Sequence, residues 1–206
     1  MPDPVSTAVV HVVEDDAGVA RALVRLLAAA GRQCETHADA EDFLARYDPA
    51  QPGCAIVDLG LPGMDGLSMQ ATLVARGIAC PIVFLTGAGT VPASVRAMKA
   101  GAVDFLLKPV DSQALLAAVD AALARDAAAR QARSMNQDGA RRLASLTPRE
   151  RQVLDLVVAG RLNKQVAADL GTAEKTVKVH RGRMMKKLGV RTVADLVRLV
   201  SSLRST

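Results

Sequence analysis

The sequence predicts two folds in one chain, a doubly wound α/β unit on a five-stranded parallel sheet and, after it, a small all-α unit of four helices. Three observations predict this. Through the first 124 residues, short apolar runs alternate with segments of helical period, the pattern of strands buried on both faces and covered by helices. Near residue 125 the composition turns rich in Ala and Arg. Past residue 146 the chain is punctuated as short helices are, by Gly160, Gly171 and Gly189.

The first strand is Val9–Val13, which runs into Glu14, Asp15 and Asp16. Val19, Ala22, Leu23, Leu26 and Leu27 then follow at helical spacing. Residues 34–36 are a poor strand by composition, but the alternation requires a second strand there. The third, residues 55–59, carries Asp58 near its end and opens a turn at residues 60–66 in which Asp65 and Gly66 read as turn chemistry. The fourth, residues 81–85, runs into Thr86, and a helical segment marked by Val95, Ala97, Met98 and Ala100 follows. A weaker fifth strand at residues 103–107 ends at Lys108-Pro109, ahead of Leu115, Leu116, Val119, Ala122 and Leu123 at helical spacing. That last helix is expected to run to about Met135 and break near Gly139, so that residues 125–142 form a partly helical linker between a domain at 1–124 and another at 143–206. Thr147, Pro148 and Glu150 spell a helix start: an N-cap, a proline in the first helical position and a capping box. Helices are predicted near 148–159, 163–170, 174–187 and 192–203.

The 206 residues, half of them hydrophobic, suffice for the cores of two small domains. Cys34, Cys54 and Cys80 are odd in number, lack metal-ligand spacing and sit beside apolar segments, which reads as reduced packing residues. No apolar stretch reaches the roughly 20 residues a membrane helix needs, and the opening Met-Pro-Asp-Pro is no signal pattern; a cytoplasmic protein is expected. Charge divides the chain. Residues 1–124 hold 8 Lys and Arg against 14 Asp and Glu, a net −6, and residues 125–206 hold 18 against 7, a net +11. The basic half is therefore the one to test against nucleic acid.

In a parallel sheet the carboxyl ends of the strands meet ligands. An acid cluster at Glu14–Asp16, the lone Asp58, the Thr86 hydroxyl and the Lys108 amine would share that edge. Taken singly they are bland: Asp58 or Thr86 a cap, Lys108 a solvated charge. Together they resemble the receiver domain of two-component response regulators, a flavodoxin-like fold, and residues 143–203 resemble a LuxR-type helix-turn-helix. The whole resembles the NarL/FixJ class, its FixJ-like branch in particular, through Thr86-Gly-Ala-Gly-Thr-Val-Pro, Met98-Lys-Ala-Gly-Ala-Val-Asp-Phe, Thr147-Pro-Arg-Glu and Lys175-Thr-Val-Lys-Val-His.

The resemblance implies that Asp58 accepts a phosphoryl group from a sensor histidine kinase, as an ionised, accessible nucleophile. It implies Mg2+ held by Glu14, Asp15, Asp58 and the Gly60 carbonyl, with Asp16 the alternative to Glu14 in completing the acid pair. Lys108 and Thr86 would contact the phosphoryl oxygens, Lys108-Pro109 would be a cis peptide, and Phe105 would turn into space that Thr86 vacates. A phosphatase of the haloacid dehalogenase type would need a second carboxylate where Gly60 stands. A receiver acting without phosphate is the other alternative, its basic half gripping RNA or protein; one Tyr and no Trp offer few stacking platforms for single-stranded RNA.

In a helix-turn-helix the second helix enters the major groove, and residues 174–187 suit that role. Val177, Met184 and Leu188 would face the core with Val166, Ala167 and Leu170. By resemblance Lys178 and Val179 are the base-edge candidates, and Lys175, Thr176, Arg181, Lys186 and Asn163 contact phosphates. His180 reads equally as a phosphate contact or as packing. Gly182, where relatives carry a polar or basic side chain, either lets backbone approach DNA or removes one base reader. Val193, Leu196, Val197 and Val200 mark an apolar stripe for a two-fold dimer, so a homodimer promoted by phosphorylation is expected on double-stranded operator DNA, with RNA polymerase as a further partner.

Overall fold

The computed structural model describes residues 8–87 and 91–204. The opening Met-Pro-Asp-Pro and the middle of the Thr86–Pro92 motif lie outside the described residues. Two compact units divide at Arg130 and Gln131.

The first unit is a five-stranded parallel sheet in the order β2-β1-β3-β4-β5, built from β1 (Val9–Val13), β2 (Gln33–His37), β3 (Gly53–Asp58), β4 (Ile82–Thr86) and β5 (Asp104–Leu107). Its helices are α1 (Ala17–Ala29), α2 (Ala40–Arg46), α3 (Gly66–Ala75), α4 (Val91–Lys99) and the start of α5 (Ser112–Ala144). Alternate strand residues feed two cores. Val10, Val12, Cys54, Ile56, Val83 and Leu85 pack with Leu23 and Leu27 of α1 and Leu115 and Val119 of α5. Val13, Ala55, Val57, Ile82 and Phe84 pack on the other side with Phe43, Met69, Leu73 and Ala97. The three cysteines are free thiols, and burial pushes the Cys80 thiol up to about 12.

β2 reads poorly because it is an edge strand with four of its five residues at least partly open to solvent; pairing with β1, from Val9 opposite Gln33 to Val13 opposite His37, makes it a strand. The order places the reversal of strand sequence between β1 and β3, so the loops after them open into one crevice.

The helix expected to break near Gly139 does not break. α5 continues from the first unit to Ala144 in the second. The reason is packing: a Cβ added at Gly139 would lie 3.0 Å from Leu199 and 3.1 Å from Leu203, so the glycine is the flat place where α9 (Val193–Arg204) lies against the end of α5. The rest of the second unit is α6 (Pro148–Val158), α7 (Asn163–Asp169) and α8 (Glu174–Leu188). The expected capping box is formed, Thr147 Oγ1 accepting from the Glu150 N–H and the Glu150 carboxylate from the Thr147 N–H. Val166, Ala167, Val177, Met184 and Leu188 are buried, with Leu170 packed against them. Gly189 ends α8 in the left-handed conformation at φ 69°.

Under α2 the sheet carries a polar chain. His11 Nδ1 lies 3.1 Å from His37 Nε2, and His37 Nδ1 lies 3.0 Å from the Asp42 carboxylate. Burial and the neighbouring His37 hold His11 down to about 4, and burial likewise lowers His37, against the hydrogen bond it donates to the Asp42 carboxylate. An imidazole whose folded value is depressed binds its proton more readily in the unfolded chain, whose value is near 6.5. Its contribution to stability is complete above that value and is lost as pH falls toward about 4. In chelator, urea unfolding followed by Tyr47 should lose about 2 kcal/mol between neutral pH and a pH near 4.5, and His11→Gln should flatten that slope. Tyr47 is the chain's single tyrosine, there is no tryptophan, and its ring centroid lies 5.3 Å from that of His11. An unchanged slope in the variant would assign it to other groups.

Candidate functional site

β3 delivers Asp58 as its last residue, and the chain then turns back sharply: the Gly66 N–H donates to the Leu59 carbonyl at 3.2 Å. Gly66 is more than a turn residue. A Cβ there would stand 2.7 Å from the Asp58 carbonyl oxygen and about 3 Å from Phe84 and Val57, so its hydrogen lets the first turn of α3 close over the strand end. Asp65, beside it, caps that helix by accepting from the Ser68 N–H at 2.7 Å.

Lys108, from the end of β5, reaches across to two carboxylates. Its Nζ lies 2.7 Å from Glu14 Oε2 and 3.3 Å from Asp58 Oδ1. Burial alone would lower the amine, but the Glu14 hydrogen bond and the two acidic neighbours outweigh it and raise it above the ordinary lysine value. Burial dominates at Glu14 and raises its carboxyl in spite of Lys108. Glu14, Asp15 and Asp58 offer oxygens all within 4.8 Å of one another. Three hard oxygen donors on a crevice open to water match what Mg2+ takes, so the residues present fit that ion.

Asp16, the alternative member of the acid pair, is engaged elsewhere. Its carboxylate accepts from the Gly18 and Val19 N–H groups at 2.7 and 3.0 Å as the N-cap of α1, and those bonds hold it below the ordinary carboxylate range. Gly60, Thr86, Arg96 and Lys108 line an open cleft of about 560 Å3 beside Asp58. Thr86 is buried at the end of β4. Phe105 is half-buried on β5 with its ring centroid 6.4 Å from that of Phe84, and the Lys108-Pro109 peptide is cis.

In the second unit α8 shows a bare basic face. Lys175, Thr176, Lys178, Val179, Gly182 and Lys186 are exposed, and His180 is half-buried. Lys178 has its Nζ 3.4 Å from Glu174 one turn back, a surface pair of little energy that leaves the amine available. Among the described residues nothing lies within 4 Å of a Cβ added at Gly182. Arg181 and Asn163 hold each other, the guanidinium donating to Asn163 Oδ1 at 2.8 Å, which ties α7 to α8. Lys187 does the same for α6, reaching the capping-box Glu150 at 2.7 Å; with the Thr147 N–H it holds that carboxyl down at about 2.

The apolar stripe of α9 needs correction. Leu196 and Val200 are 0% and 5% exposed, inside the unit's own core, whereas Val193 and Val197 are 37% and 38% exposed. Packing on α6 and on the end of α5 covers half of what the sequence offered as a free face, so of the expected stripe only Val193 and Val197 stay partly open to solvent.

Sequence reasoning did not find the Arg181–Asn163 tie, the Lys187–Glu150 pair or the steric role of Gly66. A capping aspartate two residues before Gly18 was the one available signal, and it would have removed Asp16 from the acid pair.

Residues 10–120 match the family described as response regulator receiver domain, and residues 144–200 match bacterial regulatory proteins, luxR family. Nodulation protein W of Bradyrhizobium diazoefficiens is 44% identical over 95% of this chain and 86% of its own. The transcriptional regulatory protein FixJ of Azorhizobium caulinodans is 40% identical over 92% of this chain and 90% of its own. Among solved structures, the response regulator StyR superposes with a TM-score of 0.86 at 47% identity, covering 95% of this chain and 98% of that one.

Proposed function

Because this chain belongs to the NarL/FixJ family of response regulators and is a two-component transcription regulator, we propose that Asp58 is its phosphoacceptor and that α8 is the helix that reads DNA. The observation that carries the first part is Lys108, its ammonium set between Glu14 and Asp58.

A histidine kinase would present its phosphoimidazole to Asp58, whose carboxylate oxygen bonds to phosphorus as the N–P bond breaks and the electron pair returns to the ring. Lys108 then exchanges part of its carboxylate contact for a phosphoryl oxygen, and the Thr86 hydroxyl donates to another. Glu14 and Asp15, with Asp58 and the Gly60 carbonyl, would hold Mg2+, which offsets the charge of the incoming oxygens against the carboxylates. As Thr86 moves toward the phosphoryl group, Phe105 turns inward, and one of two packings becomes the favoured one.

For DNA, the bare face of α8 supports a sorting of contacts. Lys178 and Val179 would meet base edges, while Lys175, Thr176, Lys186 and the Arg181–Asn163 pair meet phosphates. Two copies joined through Val193 and Val197 would set two such helices on half-sites roughly 34 Å apart. The covering experiment is selection of duplexes from a random pool with and without beryllofluoride. An imperfect palindrome enriched mainly with the mimic supports the reading, and an unenriched pool removes it.

The sorting has its own test. Lys178→Ala should relax preference at one base position by about 1–3 kcal/mol, while Lys186→Ala should weaken specific and random duplexes alike and lower the salt slope by about one. Equal losses on both duplexes for both variants would overturn it.

A further inference from the structure

We propose that His11, His37 and Glu35 form a second metal site, for a borderline divalent ion such as zinc, under α2 at the sheet edge. Nothing in the phosphoacceptor reading uses these residues. They offer ligand atoms within 4.8 Å of one another, and the sheet register explains why: His11 on β1 is paired with Glu35 on β2, and His37 follows Glu35 by two residues on the same face.

The spacing suits coordination. Metal–nitrogen bonds of roughly 2.0–2.1 Å in a tetrahedron put two imidazole nitrogens about 3.3 Å apart, and His11 Nδ1 and His37 Nε2 are 3.1 Å apart. The Glu35 carboxylate stands 3.9 Å from His11 Nδ1. An ion at that point replaces the hydrogen bond between the rings, the proton on His11 passing from Nδ1 to Nε2. The surroundings are those of a built ligand set. Asp42 holds the other nitrogen of His37 at 3.0 Å, the carboxylate–histidine arrangement that orients metal ligands. Phe43 and Tyr47 wall the site with ring centroids 5.5 and 5.3 Å from that of His11. Both imidazoles are nearly fully buried, whereas Glu35 is 45% exposed and leaves an entrance. Its cationic neighbour among the described residues, Arg46, is 3.9 Å away and half exposed, so the carboxylate is free to turn inward.

Two nitrogens and a carboxylate with a position left for water suit zinc, cobalt or nickel over Mg2+, which takes oxygen ligands. That difference separates this site from the acidic crevice. Co2+ titrated into the full chain with Mg2+ in large excess should bind with one equivalent, give visible d–d absorption and quench Tyr47, the chain's single fluorophore of its kind. Glu35→Gln, at an exposed position, should weaken binding at least tenfold, and Asp42→Asn should do so by about 10- to 100-fold through His37. Asp15→Asn should leave it unchanged. The proposal is overturned if Co2+ fails to saturate the chain, or if Glu35→Gln binds as well as the parent chain while Asp15→Asn does not. Neither result bears on phosphorylation of Asp58.

Discussion

Asp58→Asn should take up no phosphoryl group from acetyl phosphate and Mg2+, as read by intact mass, while urea unfolding followed by Tyr47 stays close to that of the parent chain. The amide is nearly isosteric with the carboxylate but is no nucleophile. The other oxygens in the crevice do not replace it. Glu14 is buried and engaged by Lys108, and Asp16 is spent on the N-terminus of α1. A phosphoryl mass retained by the variant would move the acceptor to another side chain, Asp15 first among them.

Gly66→Ala should have the largest effect of any single methyl added near the crevice. Its new carbon would sit 2.7 Å from the Asp58 carbonyl oxygen, 3.0 Å from Phe84 Cε1 and 3.1 Å from Val57 Cγ1. Two of the three belong to the β3 backbone and to a fully buried ring, neither of which yields easily. Overpacking of this kind costs about 1–3 kcal/mol, and the rigid neighbours place it toward the upper end. Urea unfolding read by Tyr47 should show the loss, and phosphorylation should slow because relief of the clash displaces the residue that carries the carboxylate. Unchanged stability and rate would mean that the α3 turn shifts freely, contrary to the close fit found.

The sequence made β1, β3 and β4 legible because their residues are buried on both faces, so hydrophobicity and strand coincide. β2 was the weak point for the opposite reason: an edge strand of Gln, Cys, Glu, Thr and His earns its pairing from β1 alone. The four short helices were legible through capping and glycine punctuation, which are local signals. What could not be read was non-local. Gly139 looks like a helix breaker until α9 is seen lying on it. Leu196 and Val200 look like a free stripe until α6 covers them. In the crevice the residue types were readable, but Asp16 turning to cap α1, and Lys108 choosing Glu14 at 2.7 Å over Asp58 at 3.3 Å, depend on side-chain directions that spacing does not encode.

Gly182 carries a consequence for how regulators of this kind diverge. Facing solvent on α8 with empty space where a side chain would grow, it is a spare socket on the surface proposed to read the groove. Filling it asks nothing of the hydrophobic core and removes a helix-interior glycine that costs roughly 1 kcal/mol. If α8 reads DNA as proposed, a side chain at this position would add a contact there while leaving the fold and the Asp58 crevice untouched, so a duplicated copy would have a route to separate targets.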